Sequence, residues 1–226
     1  MGIAERLSIL KEELGCQARL VAVSKTKTTE EIMEAYQAGQ RIFGENKVQE
    51  LTEKQPRLPD DIQWHFIGHL QTNKVKYIAP FVHLIHSADS LKLLQAIDRE
   101  GEKNNRVIKC LLQFHIADEE TKFGFDPEEA TNTLLSEEFR KLKFTEICGV
   151  MGMATFTDRE DQVRHEFRSL KQIFGQMKQG FFKDKPGFCE ISMGMSGDYP
   201  LAIEEGSTMV RIGSLIFGER NYGSGI

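Results

Sequence analysis

The segment Val21-Ala-Val-Ser-Lys-Thr-Lys-Thr-Thr-Glu-Glu31 runs from an apolar, strand-like stretch directly into the start of a helix. Thr28 and Glu31 have the spacing of a capping box, in which each side chain accepts a hydrogen bond from the other residue's backbone N–H. Lys25 therefore lies at the carboxyl end of a predicted core strand. An ammonium group in that position needs water, a counter-ion or a covalent partner, so Lys25 is the first candidate functional residue.

The rest of the chain repeats this alternation of short apolar segments and helical patterns. We predict eight strands, at Arg19–Ser24, Arg41–Gly44, Trp64–Ile67, Val82–His86, Val107–Phe114, Glu146–Met151, Phe188–Ser192 and Met209–Ile212. Eight such repeats in 226 residues predict a compact (β/α)8 barrel of the α/β class, a TIM-like fold that usually has about 250 residues. An open doubly wound sheet is the alternative, because alternation alone does not establish closure.

Three further helices are predicted, and two of them have a recognisable start signal. An opening helix is predicted over residues 3–14. Asp126 offers an N-cap, followed by Pro127 in the first turn and two acidic residues that the helix dipole favours. Thr157 and Glu160 have the spacing of a second capping box, ahead of a long apolar stripe at helical periodicity.

Composition places the chain among ordinary globular proteins. Hydrophobic residues make up 40% and charged residues 28%, and the net charge of -5 with no dominant basic block argues against nucleic-acid binding. Four cysteines lie far apart, which is typical of reduced thiols in a cytoplasmic protein. The amphipathic start predicts neither a signal peptide nor a membrane span. We expect residues 1–226 to form a single domain.

In a barrel of this kind, functional groups gather at the carboxyl ends of the strands. Lys25 follows the first predicted strand and Asn46 follows the second. Two later loops, which follow the seventh and eighth strands, are rich in glycine and serine. Phosphate sites are often built from such loops and the helix N-termini beside them. The candidate phosphate residues are Ser196, Gly197, Gly213 and Ser214.

Simpler interpretations exist for each of these residues. A glycine-serine loop is often only a turn. A lysine near a strand end often packs its methylene chain on apolar surface and keeps its ammonium group in water. His65 and His69 are interpreted as ordinary polar residues, since no carboxylate–histidine spacing supports a metal site. Met153 and Met195 are interpreted as core or wall residues. The functional interpretation depends on the coincidence of the lysine and both loops in one barrel.

That coincidence has a specific chemical meaning. A lysine amine forms a Schiff base with an aldehyde, and pyridoxal 5'-phosphate (PLP) requires a lysine, a phosphate site and a partner for its ring nitrogen. Arg211, at the end of the eighth strand, is the candidate for that partner. A guanidinium only donates hydrogen bonds and stays charged, so it would keep the ring nitrogen unprotonated and the ring a weak electron sink.

Several longer motifs resemble those of the pyridoxal phosphate homeostasis protein family, whose members are single-domain relatives of the alanine racemase N-terminal barrel. The resemblance extends from about residue 18 to 220, and its motifs are VAVSKTK, IFGENKVQE, WHFIGHLQTNKVK, TKFGF, GVMGMAT, SMGMSGDYPLAI and VRIGSLIFGER. It implies that Lys25 anchors PLP covalently and that Asn46 lies beside the cofactor. It also implies that the two late loops hold the phosphate and that Arg211 lies near the ring nitrogen.

The resemblance implies a protein that binds PLP, acts in vitamin B6 homeostasis and cofactor supply, and affects amino-acid metabolism. Its partners would be PLP itself and PLP-dependent apo-enzymes. A PLP-dependent amino-acid racemase is the alternative. A third hypothesis, a phosphate-binding barrel enzyme without PLP, applies only if Lys25 is not a cofactor anchor. Racemisation needs a proton acceptor on each face of the substrate carbanion, which separates the first two hypotheses.

Two residues are left without an assigned role. Lys122 stands where related racemases have an arginine near the ring hydroxyl, so it is a candidate either to support the residues that touch the cofactor or to take part in cofactor transfer. Tyr222 is a candidate substitute proton donor, although Gly213 to Ile226 is too short to form the additional β domain of the racemases.

Overall fold

Eight parallel strands form a closed barrel in the computed structural model, which describes residues 1–118 and 123–218. The strands β1 to β8 are Arg19–Val23, Ile42–Glu45, Gln63–Phe66, Leu84–Ala88, Ile108–Gln113, Thr145–Met151, Glu190–Ser192 and Met209–Ile212. Each lies within two residues of its predicted bounds. Closure comes from the pairing of β8 with β1, in which Val21 lies opposite Arg211. The barrel prediction is confirmed, and the open sheet is excluded.

Helices connect successive strands and surround the barrel. Within the described residues, α1 to α10 are Ile3–Leu14, Thr29–Gln37, Val48–Lys54, Val75–Ile78, Leu91–Lys103, Pro127–Leu135, Glu137–Arg140, Glu160–Gly180, Tyr199–Glu204 and Ser214–Phe217. The opening helix has its predicted bounds. None of these helices is long and apolar enough to cross a membrane.

Two of the predicted helix starts are confirmed at the atomic level. The Thr28 hydroxyl accepts a hydrogen bond from the Glu31 N–H at 3.2 Å, and the Glu31 carboxylate accepts one from the Thr28 N–H at 2.8 Å. The Asp126 carboxylate caps α6 by accepting from the Glu129 N–H at 2.7 Å. These side chains satisfy amide groups that have no partner inside the first helical turn.

The second predicted capping box does not form. Helix α8 begins at Glu160, and the Thr157 hydroxyl instead accepts from the Arg159 N–H at 3.3 Å. The preceding loop is fixed differently, because the buried Glu166 carboxylate accepts from both the N–H and the hydroxyl of Thr155, at 2.6 and 2.7 Å. This contact from a residue of α8 fixes the loop that precedes the helix, so Thr157 and Glu160 do not form the capping box that their spacing predicts.

The apolar core has two layers, because successive strand residues face opposite sides of the barrel wall. The larger cluster lies between the strands and the helices and includes Ala22, Ile85 and Phe167. The smaller cluster fills the barrel interior and consists of Val21, Leu84, Leu111, Cys148, Met151 and Met209. Since both faces of each strand are covered, the carboxyl ends of the strands remain the natural place for a binding site.

The two capping-box sequences provide a matched test of local helix energetics. We expect Thr28→Ala to lower the free energy of unfolding by about 1 kcal/mol, because it removes the acceptor for an amide at the start of α2. Thr157→Ala should change it by less than about 0.5 kcal/mol. Urea unfolding of both variants measures the difference, and equal losses would contradict the capping assignment.

Candidate functional site

A cavity of about 570 Å³ opens at the carboxyl ends of the strands. Its lining includes all seven residues that the sequence nominated, namely Lys25, Asn46, Ser196, Gly197, Arg211, Gly213 and Ser214. They follow or end β1, β2, β7 and β8, which the closed topology makes a continuous arc. The fold therefore brings the nominated residues together, and their role in cofactor binding remains a prediction.

Lys25 lies in a tight turn between β1 and α2. The Ser24 N–H donates to the Gly44 carbonyl at 3.0 Å, which extends the pairing of β1 with β2, and the Lys27 N–H closes the turn on the Ser24 carbonyl at 3.0 Å. Thr26 has a φ of 66°, a left-handed conformation that is uncommon for a β-branched residue. A backbone held in such a conformation needs support from its surroundings.

That support is a buried group of charged side chains beneath the turn. The Lys54 ammonium donates to the Ser24 carbonyl at 2.8 Å, to the Glu45 carboxylate at 2.8 Å and to the Glu50 carboxylate at 2.6 Å. These three acceptors use all three of its N–H groups. Glu45 also accepts from the Ser24 hydroxyl, and Glu50 accepts from the Thr26 N–H. The residues on both sides of Lys25 are thus fixed by β2 and α3.

Glu45 depends on this arrangement because it is completely buried. Burial raises the pKa of its carboxyl group, and the neighbouring Lys54 ammonium opposes that shift. One carboxylate oxygen, Oε2, has no hydrogen-bond partner among the described residues. Lys54 is therefore the main compensation for a buried negative charge.

Arg211, on the strand paired with β1, presents a buried positive charge to the cavity. Its Nη1 donates to the Ser192 hydroxyl at 2.6 Å and its Nη2 donates to the Gly152 carbonyl at 3.0 Å. Burial lowers the pKa of the guanidinium to about 10, which still leaves it charged at neutral pH. Both partners are uncharged, so the guanidinium faces the cavity as a cationic donor.

The two glycine-rich loops meet at the cavity wall. The Gly213 N–H donates to the Ser196 hydroxyl at 3.4 Å, which joins the loop after β7 to the loop after β8. Gly194 has a φ of 93°, and a Cβ at this position would lie 2.6 Å from the Ala202 Cβ. Its carbonyl accepts from the Arg211 N–H at 3.0 Å. Glycine is therefore required at 194 to fold this loop back onto β8.

Asn46 is placed by the close approach of the next loop. A Cβ at Gly68 would lie 2.2 Å from the Asn46 carbonyl oxygen, so only glycine allows the chain after β3 to pack against the end of β2. Both residues line the cavity.

The wall after β3 contains His69, which the sequence predicted to be an ordinary polar residue. His69 Nδ1 lies 3.2 Å from an Asp89 carboxylate oxygen, and the His69 ring stacks on Phe123 with 3.9 Å between centroids. His69 follows a strand end just as Lys25 and Asn46 do, so the strand-end rule applied to β3 would have identified it. Lys122 and Tyr222 lie outside the described residues.

The remaining walls mix apolar and charged side chains. Met153 and Met195 line the cavity, which confirms their interpretation as core or wall residues. Lys27 also lines it, with its ammonium 3.1 Å from the Phe217 carbonyl and 3.5 Å from Glu31. In the part of the chain that the structure describes, no group of three or more histidine, cysteine or acidic residues could hold a metal ion.

Comparison with known proteins identifies the family. The sequence model of the family "Alanine racemase, N-terminal domain" matches residues 2–221 of this chain. The pyridoxal phosphate homeostasis protein of Aquifex aeolicus is 40% identical over 233 residues, which cover 98% of this chain and 100% of that protein. The human protein of the same name is 39% identical and covers 91% of this chain and 78% of its own length. This chain belongs to the pyridoxal phosphate homeostasis protein family.

Solved structures agree with this assignment. PipY of Synechococcus elongatus PCC7942, in a structure with PLP bound, is 36% identical to this member of the family, with a TM-score of 0.86 and coverage of 96% of this chain and 100% of PipY. Alanine racemase from Bartonella henselae has a TM-score of 0.72 but only 17% identity, with coverage of 97% of this chain and 63% of the racemase. That likeness concerns the fold alone.

Removal of the Lys54 ammonium should destabilise the protein severely. We expect Lys54→Met to lower the free energy of unfolding by about 3–5 kcal/mol, because it leaves Glu45 buried without its counter-ion. The double variant Glu45→Gln/Lys54→Met should recover part of this loss. Lys103→Met is the matched control, since its ion pair with Glu100 is also 2.6 Å long but exposed, and should cost about 0–1 kcal/mol.

Urea unfolding measures all three variants. A loss below about 1 kcal/mol for Lys54→Met would contradict a supporting role for this charge.

Proposed function

We propose that this protein binds pyridoxal 5'-phosphate through Lys25 and acts in intracellular PLP homeostasis. The observation that carries the proposal is one cavity lined by a strand-end lysine, a buried guanidinium and two joined glycine-serine loops. Its PLP homeostasis relatives, and the structure of PipY with PLP bound, support the choice of cofactor.

The residues of the loops fit a phosphate group. Ser196, Gly197, Gly213 and Ser214 line the same part of the cavity and are joined by the contact between Ser196 and Gly213. A Cβ at Gly197 would meet no atom within 4 Å, so space for a ligand exists beside its backbone. The Ser214 and Leu215 amides at the start of α10 precede the first amide that donates to the Gly213 carbonyl, that of Ile216, and can donate to an anion.

Arg211 fits an aromatic ring that carries a hydrogen-bond acceptor. Arg211 offers only donors, and its charge disfavours protonation of a ring nitrogen placed beside it. When bound, PLP supplies an aldehyde for amine attachment and a conjugated ring that withdraws electrons from the attached carbon. Arg211 would limit that withdrawal, because an unprotonated ring is a weaker electron sink than a protonated one.

The arrangement favours retention of the cofactor over turnover of an amino acid. The described lining of the cavity contains Lys25 but no tyrosine that could serve the opposite face of a substrate. We therefore propose a binding protein, with PLP-dependent apo-enzymes as the recipients of its cofactor. We place this role in the cytoplasm, which is consistent with the four cysteines being free thiols.

The covalent anchor can be located directly. We expect borohydride treatment of the PLP-loaded protein to fix the cofactor on Lys25, as read by mass spectrometry of peptides. Lys25→Ala should lose the adduct and keep a cooperative unfolding transition. Lys27→Ala is the control, because Lys27 also lines the cavity but its ammonium is engaged by Phe217 and Glu31. An adduct on Lys27 or Lys122 in the parent protein would overturn the assignment.

Turnover can be measured by isotope exchange. We expect the PLP-loaded protein, incubated with single enantiomers of several amino acids in deuterated water, to show at most slow α-deuteration. A missing acid–base partner typically costs about 10²–10⁴-fold in rate. Lys25→Ala gives the background rate. Rapid deuteration with inversion that depends on Lys25 would instead establish the racemase alternative.

A further inference from the structure

A chain of hydrogen bonds crosses the barrel interior and ends at Arg211. His65 Nδ1 lies 3.0 Å from His86 Nε2, and His86 Nδ1 lies 3.0 Å from the Ser192 hydroxyl. The same hydroxyl accepts from Arg211 Nη1 at 2.6 Å. The four residues come from β3, β4, β7 and β8, and each is at most 4% exposed. These four residues form a buried polar chain, whereas the cluster that fills the rest of the barrel interior is apolar.

The donors and acceptors of this chain can be assigned from Arg211 outwards. A guanidinium only donates, so the Ser192 oxygen must accept from it. The hydroxyl hydrogen then needs an acceptor, and His86 Nδ1 is the one that lies within hydrogen-bond distance among the described residues. Nδ1 of His86 is therefore unprotonated, and its proton is on Nε2. That N–H in turn donates to Nδ1 of His65.

We propose that His86 and Ser192 are positioning residues that hold the Arg211 guanidinium in place for the ring of the cofactor. This inference rests on the proposed function, in which Arg211 faces the ring nitrogen of PLP. Because the serine hydrogen is committed to His86, a lone pair on its oxygen always faces Arg211. The Gly152 carbonyl fixes the second Nη, so two of the five N–H groups hold the guanidinium and the others remain for the cavity.

The opposite charge state of His86 would disrupt this order. A protonated His86 would donate from Nδ1 to the Ser192 oxygen. The hydroxyl hydrogen would then lose His86 as its acceptor and would be repelled by the Arg211 charge. Burial lowers the pKa of both His65 and His86 well below the usual value, and the nearby Arg211 charge adds to this for His86. Both rings therefore stay neutral at physiological pH, and the direction of the chain is maintained.

The tautomers can be measured on the protein without any ligand. Nitrogen-15 NMR of the imidazole rings should show both His65 and His86 as neutral rings with the proton on Nε2 at neutral pH. Ser192→Ala should shift the His86 nitrogen signals, because it removes the donor to Nδ1. A proton on Nδ1 of either ring, or an imidazolium, would overturn the proposed direction of the chain.

Variants then test the effect on the cofactor. We expect His86→Leu and Ser192→Ala each to weaken PLP binding about tenfold, the factor expected for one hydrogen bond, and to shift the absorption maximum of bound PLP. His86→Asn should stay within about threefold of the parent, because its side-chain oxygen can replace Nδ1 as the acceptor. His83→Asn is the control, since His83 stacks on His65 but stands outside the chain, and should bind like the parent.

The outcomes separate the two proposals. Parent-like affinity and spectrum in both His86→Leu and Ser192→Ala would refute the positioning role. Should His86→Leu fail to fold, the smaller change Ser192→Ala decides the matter alone. A parent protein that binds no PLP would refute the proposed function, and the tautomer measurement would then decide the hydrogen-bond chain by itself.

Discussion

The pairing of β8 with β1 is the constraint on which the site depends. In this register Val21 lies opposite Arg211 and Ala22 opposite Ile212, so the two ends of the chain become neighbours in the barrel wall. A Cβ at Gly213 would lie 3.0 Å from the Val23 carbonyl, which shows how closely the last loop packs on the first strand. Without closure, the turn that carries Lys25 and the loops near residues 196 and 214 would lie at opposite edges of a sheet. With it, they form one wall of one cavity.

Two buried polar networks then hold the residues of that wall in place. The first lies between the strands and α3, where the Lys54 ammonium and the Glu45 carboxylate fix the turn on either side of Lys25. The second lies inside the barrel, where His86 and Ser192 reach Arg211. Buried polar groups cost free energy unless their hydrogen bonds are made, but satisfied networks hold side chains in one arrangement. A cavity that binds a rigid aromatic ligand benefits from such fixed groups, because less ordering is needed on binding.

The sequence was sufficient to predict the barrel and the seven nominated lining residues, because both follow from local signals. Strand periodicity located the strands, and Lys25, Asn46 and Arg211 each stand at or just after a strand end. The supporting residues carry no local signal. The sequence around Lys54 is that of an ordinary exposed helical lysine. His86 and Ser192 come into contact only because β4 and β7 face each other across the barrel. Thr157 shows the opposite case. It has the sequence spacing of a capping box with Glu160, but the box does not form, because the contact of Glu166 with Thr155 fixes the preceding loop in another conformation.

The same fold serves alanine racemases, so the barrel by itself does not determine what this chain does. The proposed role of Arg211 bears on the balance between binding a cofactor and using it in catalysis. In the proposed complex, a charged donor at Arg211 would favour an acceptor ring nitrogen, which would favour binding and weaken the electron withdrawal that carbanion chemistry requires. The His86–Ser192 chain strengthens the first effect, because it fixes the guanidinium, and does nothing to offset the second. If Arg211 meets the ring nitrogen as we propose, the buried polar chain that ends at Arg211 favours a protein that keeps PLP bound over one that uses it in catalysis.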